Sequence, residues 1–222
     1  PLEVSGAGVF NNSGTSKSFT VENVGAQMRF SGGATVVDCN ITLEGAFSSG
    51  DCAGLLTFSD SSSAGNAVLF AEAGFNGGEG AVIEFNDQST GGTAQIALFL
   101  EPRGSAGTLT IYNHEAPGVS IGSLEGSGVV LLGDPSLPGS GRNLTVGGNG
   151  LEKRFSGVIR DEGNGGSLTK VGPGRFVLGG ANLYGGGTLV KGGVLKVTNA
   201  TGSGTGTGEN WAARELSPAR SR

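Results

Sequence analysis

The 222-residue chain holds one histidine, one methionine, one tryptophan, two tyrosines and two cysteines. With His114 as the single imidazole and no thiol beside it, a zinc site of nitrogen and sulfur ligands is excluded, and no cofactor-binding pattern is found. Apolar runs fall far short of the roughly 20 residues that a membrane helix needs. No signal segment is found, and the chain, opening at Pro1-Leu2-Glu3, reads as a mature or truncated piece of an extracellular protein. Seven prolines and the lack of a three-residue glycine period exclude collagen.

What is abundant is glycine, 45 residues, about a fifth of the chain against a typical 7%. Each glycine inside a helix costs close to 1 kcal/mol relative to alanine, so bundles and helix-covered sheets are excluded. Hydrophobic residues make up 36% and recur in short runs almost to the end, which argues against disorder. An all-β chain with tight turns is left.

The net charge of −5 disfavours nucleic acid and anionic membrane surfaces as partners. It conceals an asymmetry: residues 1–134 carry 3 Lys or Arg against 14 Asp or Glu, and the remainder 11 against 5. Such a gradient suits a solvated surface, head-to-tail association, or a basic patch for acidic glycans. Cys39 and Cys52 enclose a short polar segment, and a disulfide between them is expected, with two free thiols as the alternative.

A repeat with a period of roughly 27 residues organises the first half. Phe30, Phe58, Phe85 and Ile111 each end an alternating strand before a polar turn, and Ala67 and Ala94 open second strands one such period apart. One strand, a turn, a second strand and a glycine turn per period is the unit of a β-solenoid, whose coils satisfy one another by stacking. After Gly118 the strands shorten, with inward positions expected at Leu168, Val171, Phe176, Leu178, Leu189, Leu195 and Val197. Residues 26–208 then give roughly seven to nine coils in a rod about 40 Å long, with 1–25 as an N-terminal cap. Residues 209–222 lack glycine and hold Trp211, Arg214, Arg220 and Arg222; they read as a foreign or frame-shifted tail, weakly helical over 211–216, or as a native helix docked on the last coil.

The segment GSLTKVGPGRFVLGGANLYGGGTLVKGGVLKV, residues 166–197, resembles the autotransporter-associated β-strand repeat, also called the passenger-associated transport repeat. The matching residues are Leu168-Thr169-Lys170, Gly172 and Gly174, Gly180-Ala181-Asn182, Tyr184, Gly186-Gly187-Thr188, and Gly192-Gly193 with Leu195. Flanks at 155–161 and 199–208 are similar as well. Gly179 and Gly185 stand where that repeat has small hydroxylated residues. The resemblance implies a right-handed parallel β-helix and a secreted or surface-exposed bacterial passenger, structural or adhesive, whose repeat serves folding and export and carries no catalytic residues. The membrane β-barrel of such proteins is not in this segment.

Chemistry-bearing patterns are sparse. Gly118-Val119-Ser120-Ile121-Gly122 spells the nucleophile-elbow pattern, with His114 and Glu115 upstream, but about one such match is expected by chance in so glycine- and serine-rich a chain. A Ser-His mechanism would have to use Ser120 and His114. Asp38, Glu44, Asp51, Asp60, Glu84 and Asp87 could supply paired carboxylates for glycan hydrolysis. A hydrolase on the same rod is the alternative to a structural passenger. Residues 147–152 half-match one calcium-binding nonapeptide with Glu152 for aspartate, and a lone copy forms no calcium roll. Tyr112 and Tyr184 either stack on sugar or fill core edges. A surface glycan or another protein is the expected partner.

Overall fold

Alternating apolar residues in short strands, punctuated by glycine, build a chain of 22 strands without a helix among the described residues. The structure is a computed structural model describing residues 1–22 and 25–212. The first coil consists of β1 (Leu2–Val4), β2 (Gly8–Phe10) and β3 (Lys17–Val21), and the second of β4 (Gln27–Phe30), β5 (Thr35–Val37) and β6 (Cys39–Leu43). Two-strand coils follow, β7 (Leu55–Phe58) with β8 (Val68–Ala71) and β9 (Val82–Phe85) with β10 (Gln95–Leu98). The fifth has β11 (Thr108–Thr110), β12 (Gly118–Ile121) and β13 (Ser123–Gly126); the sixth β14 (Val129–Leu131), β15 (Asn143–Val146) and β16 (Lys153–Phe155). β17 (Val158–Arg160), β18 (Ser167–Lys170) and β19 (Arg175–Leu178) make the seventh, beyond which lie β20 (Thr188–Val190), β21 (Val194–Val197) and β22 (Asn210–Ala212).

Every strand pairs in parallel with its counterpart one coil away, so the chain is a β-solenoid of seven full coils, roughly 35 Å long at about 4.8 Å per coil. The first face runs β1-β4-β7-β9-β11-β14-β17 and the second β3-β6-β8-β10-β13-β16-β19-β21. The third starts as β2-β5, thins to single bridges at Ser63 and Thr90, and resumes as β12-β15-β18-β20-β22. Register spacing reproduces the sequence repeat, with Gln27 facing Leu55, Leu55 facing Val82 and Val82 facing Thr108. At the other end the coil contracts, and Arg175 already faces Val194.

The tube is filled by columns of like side chains. Phe30, Phe58 and Phe85 are fully buried and stack at 5.2 and 4.9 Å with rings within 12° of parallel. Ile111 and Leu132 continue their column, because Thr110 pairs with Glu84 and with Leu131. Ala67 and Ala94 are likewise buried above one another.

Several expectations change. Residues 2–21 form a coil of their own with a strand in each face. Asn210–Ala212 is a strand on β20, not a helix, and the rest of the expected tail lies outside the described residues. Leu168, Phe176 and Leu178 are buried as expected, but Val171 and Leu189 are only half-buried. Alternation from Leu168 turns Lys170 inward and leaves Val171 past the strand end; Thr188, not Leu189, takes the inward place in register with Leu168. Leu195 packs on the core edge and Val197 is exposed, since β21 ends its sheet and no described strand covers it.

The expected disulfide is absent: both thiols are free, Cys39 buried and Cys52 exposed. β6 begins at Cys39, while Cys52 lies in the loop after its far end, and an extended strand of that length spans roughly 13 Å, beyond the reach of a disulfide. Burial, and secondarily the charge of Asp38, pushes the Cys39 thiol up.

Candidate functional site

His114 is buried in the turn after β11, and both of its ring nitrogens lie 2.6 Å from backbone carbonyls, Nδ1 from Glu115 and Nε2 from Ser89 on the preceding coil. Arg142 donates to the His114 carbonyl from the next coil. Ser120 is exposed on the outer side of β12 and has no hydrogen bond to His114. The Glu115 carboxylate accepts from Gln88. The structure therefore does not join Ser120, His114 and Glu115, and β12 continues as strand where an elbow would turn into helix.

Five of the six singled-out acids bond within the coil stack or their own turn. Asp60 accepts the amide of Gly32 at 2.9 Å and Asp87 that of Asp60 at 3.0 Å, each finishing a turn one coil away. Both residues have φ near +55°, a region aspartate tolerates because its short side chain bonds locally. Asp38 accepts from the Asn66 carboxamide at 2.5 Å and Asp51 from Ser48 at 2.6 Å. Glu84 accepts from Thr57 and lines an open groove of about 570 Å³ on the first face, with Arg29, Asn86, Asp87 and Asn113. Glu152 forms an exposed ion pair with Arg175, and no cluster of three possible metal ligands exists among the described residues. Tyr112 is partly buried; burial, then the charges of Glu84 and Asp134, raises its phenol.

The distinctive chemistry lies inside the repeat. Four core columns, two of them apolar from the early coils and two from the fifth, end in polar residues there or, at Asp161, just before it. Met28, Leu56, Ile83, Leu109, Val130 and Ile159 lead to Asn182; Phe85, Ile111 and Leu132 lead to Asp161. Ile121 and Val146 lead to Lys170, and Val119, Leu144 and Leu168 to Thr188. All four polar residues are at most 3% exposed.

Each spends its polar atoms on backbone, mostly of an adjacent coil. Asn182 accepts the Ile159 amide at 2.9 Å and donates to the Gly204 carbonyl at 2.7 Å, bridging the coils on either side. Asp161 accepts the amides of Gly163 and Gly185 at 2.9 and 2.8 Å. Lys170 Nζ donates to the carbonyls of Val171, Gly172 and Gly192 at 2.6, 3.0 and 3.1 Å, its three protons meeting three acceptors on two coils. Burial holds the Lys170 ammonium below its usual range. Tyr184 is fully buried with its hydroxyl 2.5 Å from Thr188 Oγ1, which in turn donates to the Thr205 carbonyl. Its phenol is pushed up to about 12 by burial, against the opposing hydrogen bond to Thr188. No buried side-chain nitrogen or oxygen lacks a partner among the described residues. Burial so deep takes Tyr184 out of reach of any sugar.

The glycines fit the same purpose. A Cβ on Gly206 would lie 2.6 Å from the Tyr184 ring, so only glycine lets that coil close over it. At Gly179 a Cβ would meet the Arg154 guanidinium at 2.7 Å, the far end of a flexible side chain that would have to shift. At Gly185 a Cβ would lie 3.5 Å from Asp161 Oδ2, an ordinary contact, so the family's residue would fit. Sequence reading names Lys170, Asn182, Tyr184 and Thr188 as motif letters and misses their burial; strict two-residue alternation from Leu168 is the signal for Lys170.

The family model of the passenger-associated transport repeat matches residues 168–197. No curated protein and no solved structure matches the chain. The matched residues are those whose polar side chains bridge the seventh coil and the turns beyond it: the chain carries a passenger-associated transport repeat within a β-solenoid, and this repeat is what likens it to autotransporter passengers.

Proposed function

We propose that the chain is a structural passenger, a rigid rod presenting its corner loops at a secreted or cell-surface location, with residues 168–197 acting as the coil that sets the stacking register. The observation that carries this reading is the use of the repeat's hallmark polar residues: Lys170, Asn182, Tyr184 and Thr188 are buried and committed to backbone or to one another. A buried polar network satisfied in one register penalises every other, because a slip strands its donors and acceptors at about 1–3 kcal/mol each. An apolar column tolerates slippage far better. The repeat thus supplies directional information that the aliphatic coils lack, which suits a template on which neighbouring coils form.

The test is refolding of the whole chain from urea with Asp161→Ala, Lys170→Met and Asn182→Ala, beside Val130→Ala as an apolar control of similar burial. The polar variants should refold more slowly and to a lower yield than the control at matched stability loss. Equal behaviour would remove the register role. Hydrolysis of a short-chain ester panel, with His114→Ala and Ser120→Ala alongside, addresses catalysis: activity lost in both variants would replace this reading with an esterase.

A further inference from the structure

Where the second face turns into the first, three loops lie stacked: residues 44–54, 72–81 and 99–107. Backbone bonds lock them together. Phe75 N donates to Ala46 O and Gly74 N to Ser105 O, both at 2.8 Å, and Gly77 N donates to Arg103 O at 2.5 Å. Gly45, Gly74 and Gly104 permit this, since a Cβ on any of them would fall within about 2 Å of a neighbouring loop's or turn's carbonyl. The corner is therefore preorganised.

Its surface is unusual in two ways. Phe47 and Phe75 form a tilted pair with centroids 5.6 Å apart, yet are 62% and 48% exposed, and Leu100 on the third loop is 51% exposed. Contiguous exposed apolar side chains mark interaction sites more often than chance. These same loops also carry five acids, Glu44, Asp51, Glu72, Glu79 and Glu101, against one cation, Arg103. None of the six forms an ion pair among the described residues. Glu44 and Glu72 directly follow the register partners Leu43 and Ala71, so they sit one above the other. Burial, then the charges of Glu101 and Glu44, raises the Glu72 carboxyl, so these three side chains feel one another. Like charges stacked without a counter-ion favour a cation brought from outside.

We propose that this corner docks a cationic segment of a partner protein, with lysine or arginine side chains lying over the Phe47–Phe75 pair and against Glu44, Glu72 and Glu101. Aromatic faces and carboxylates both attract a cation, while the apolar rings take the stems of the same long side chains. The surface goes beyond the structural-passenger reading and would exist equally on an enzymatic rod, so either idea can fail alone.

The experiment is fluorescence anisotropy of a labelled short oligo-arginine peptide titrated with the whole chain at physiological salt. Glu44→Gln/Glu72→Gln/Glu101→Gln should weaken binding about tenfold or more, and Phe47→Ser/Phe75→Ser about two- to fivefold per ring, as exposed cation–π contacts do. Glu3→Gln/Glu115→Gln, acids elsewhere on the rod, should bind as wild type. Raising salt on the wild type tests the charge contribution without any substitution and should release the peptide. The proposal is overturned if the phenylalanine variant binds unchanged, if the Glu3/Glu115 control loses as much as the corner variant, or if a neutral oligosaccharide binds more tightly than the peptide.

Discussion

Replacing Asn182 by leucine sets two ideas of the core against each other. Asn182 tops a column of Met28, Leu56, Ile83, Leu109, Val130 and Ile159, so leucine there extends an apolar stack and gains about 2 kcal/mol of burial. The carboxamide, however, bonds the Ile159 amide at 2.9 Å and the Gly204 carbonyl at 2.7 Å. Removing it leaves both buried groups without a partner, at about 1–3 kcal/mol each. Taken at mid-range, about 4 kcal/mol lost against about 2 gained, Asn182→Leu should destabilise by about 2 kcal/mol, lowering Tm by about 4–8 °C in a chain of this size. Thermal unfolding followed by circular dichroism measures the sum. Amide hydrogen exchange at Ile159 measures the cause, since that amide should exchange faster while Val130 keeps its protection. A variant as stable as wild type, or more so, would refute the bridging role and show that the column is governed by apolar packing alone.

Other consequences are equally direct. Tyr184 has its phenol raised from 10 to about 12, so the folded state retains a proton that the unfolded chain releases; stability is fully present below pH 10 and falls as pH climbs from 10 to 12, by about 2–3 kcal/mol, and Tyr184→Phe should flatten that limb in pH-dependent urea denaturation. Gly185→Ser should be neutral or stabilise by up to about 1 kcal/mol, since a Cβ fits there and the substitution restricts the unfolded chain; a loss above about 1 kcal/mol in the same assay would contradict the open contact to Asp161. A thiol reagent should modify Cys52 rapidly and Cys39 only on unfolding, and intact-mass analysis of the non-reduced protein should show both as free thiols.

The coil repeat was legible because its pattern is written in large side chains at nearly constant intervals. Phe30, Phe58 and Phe85 fall one period apart and end in one buried stack. The repeat's interior was not, because lysine, asparagine, aspartate and threonine ordinarily lie at the surface, and reading inward positions by hydrophobicity favours Val171 over Lys170. What puts Lys170 inside is strand parity together with three carbonyls that converge only once two coils are stacked, a long-range fact. The cysteines misled for a similar reason. Closeness in sequence suggested a bond, whereas an extended strand makes short intervals long. The G-x-S-x-G match failed on direction, since Ser120 faces outward and the ring nitrogens of His114 face carbonyls.

The turn aspartates give the rod an arrow. Gly32's amide finds its acceptor in Asp60 and Asp60's in Asp87, and inside the repeat Ile159's amide waits for Asn182. In each case the donor lies on the earlier coil and the acceptor on the later one. These particular amides stay unpartnered until the next coil is in place. At these turns, cutting the rod between coils would leave two unlike wounds: the upstream piece an orphaned amide at Gly32, Asp60 or Ile159, the downstream piece a carboxylate or carboxamide oxygen that water satisfies readily.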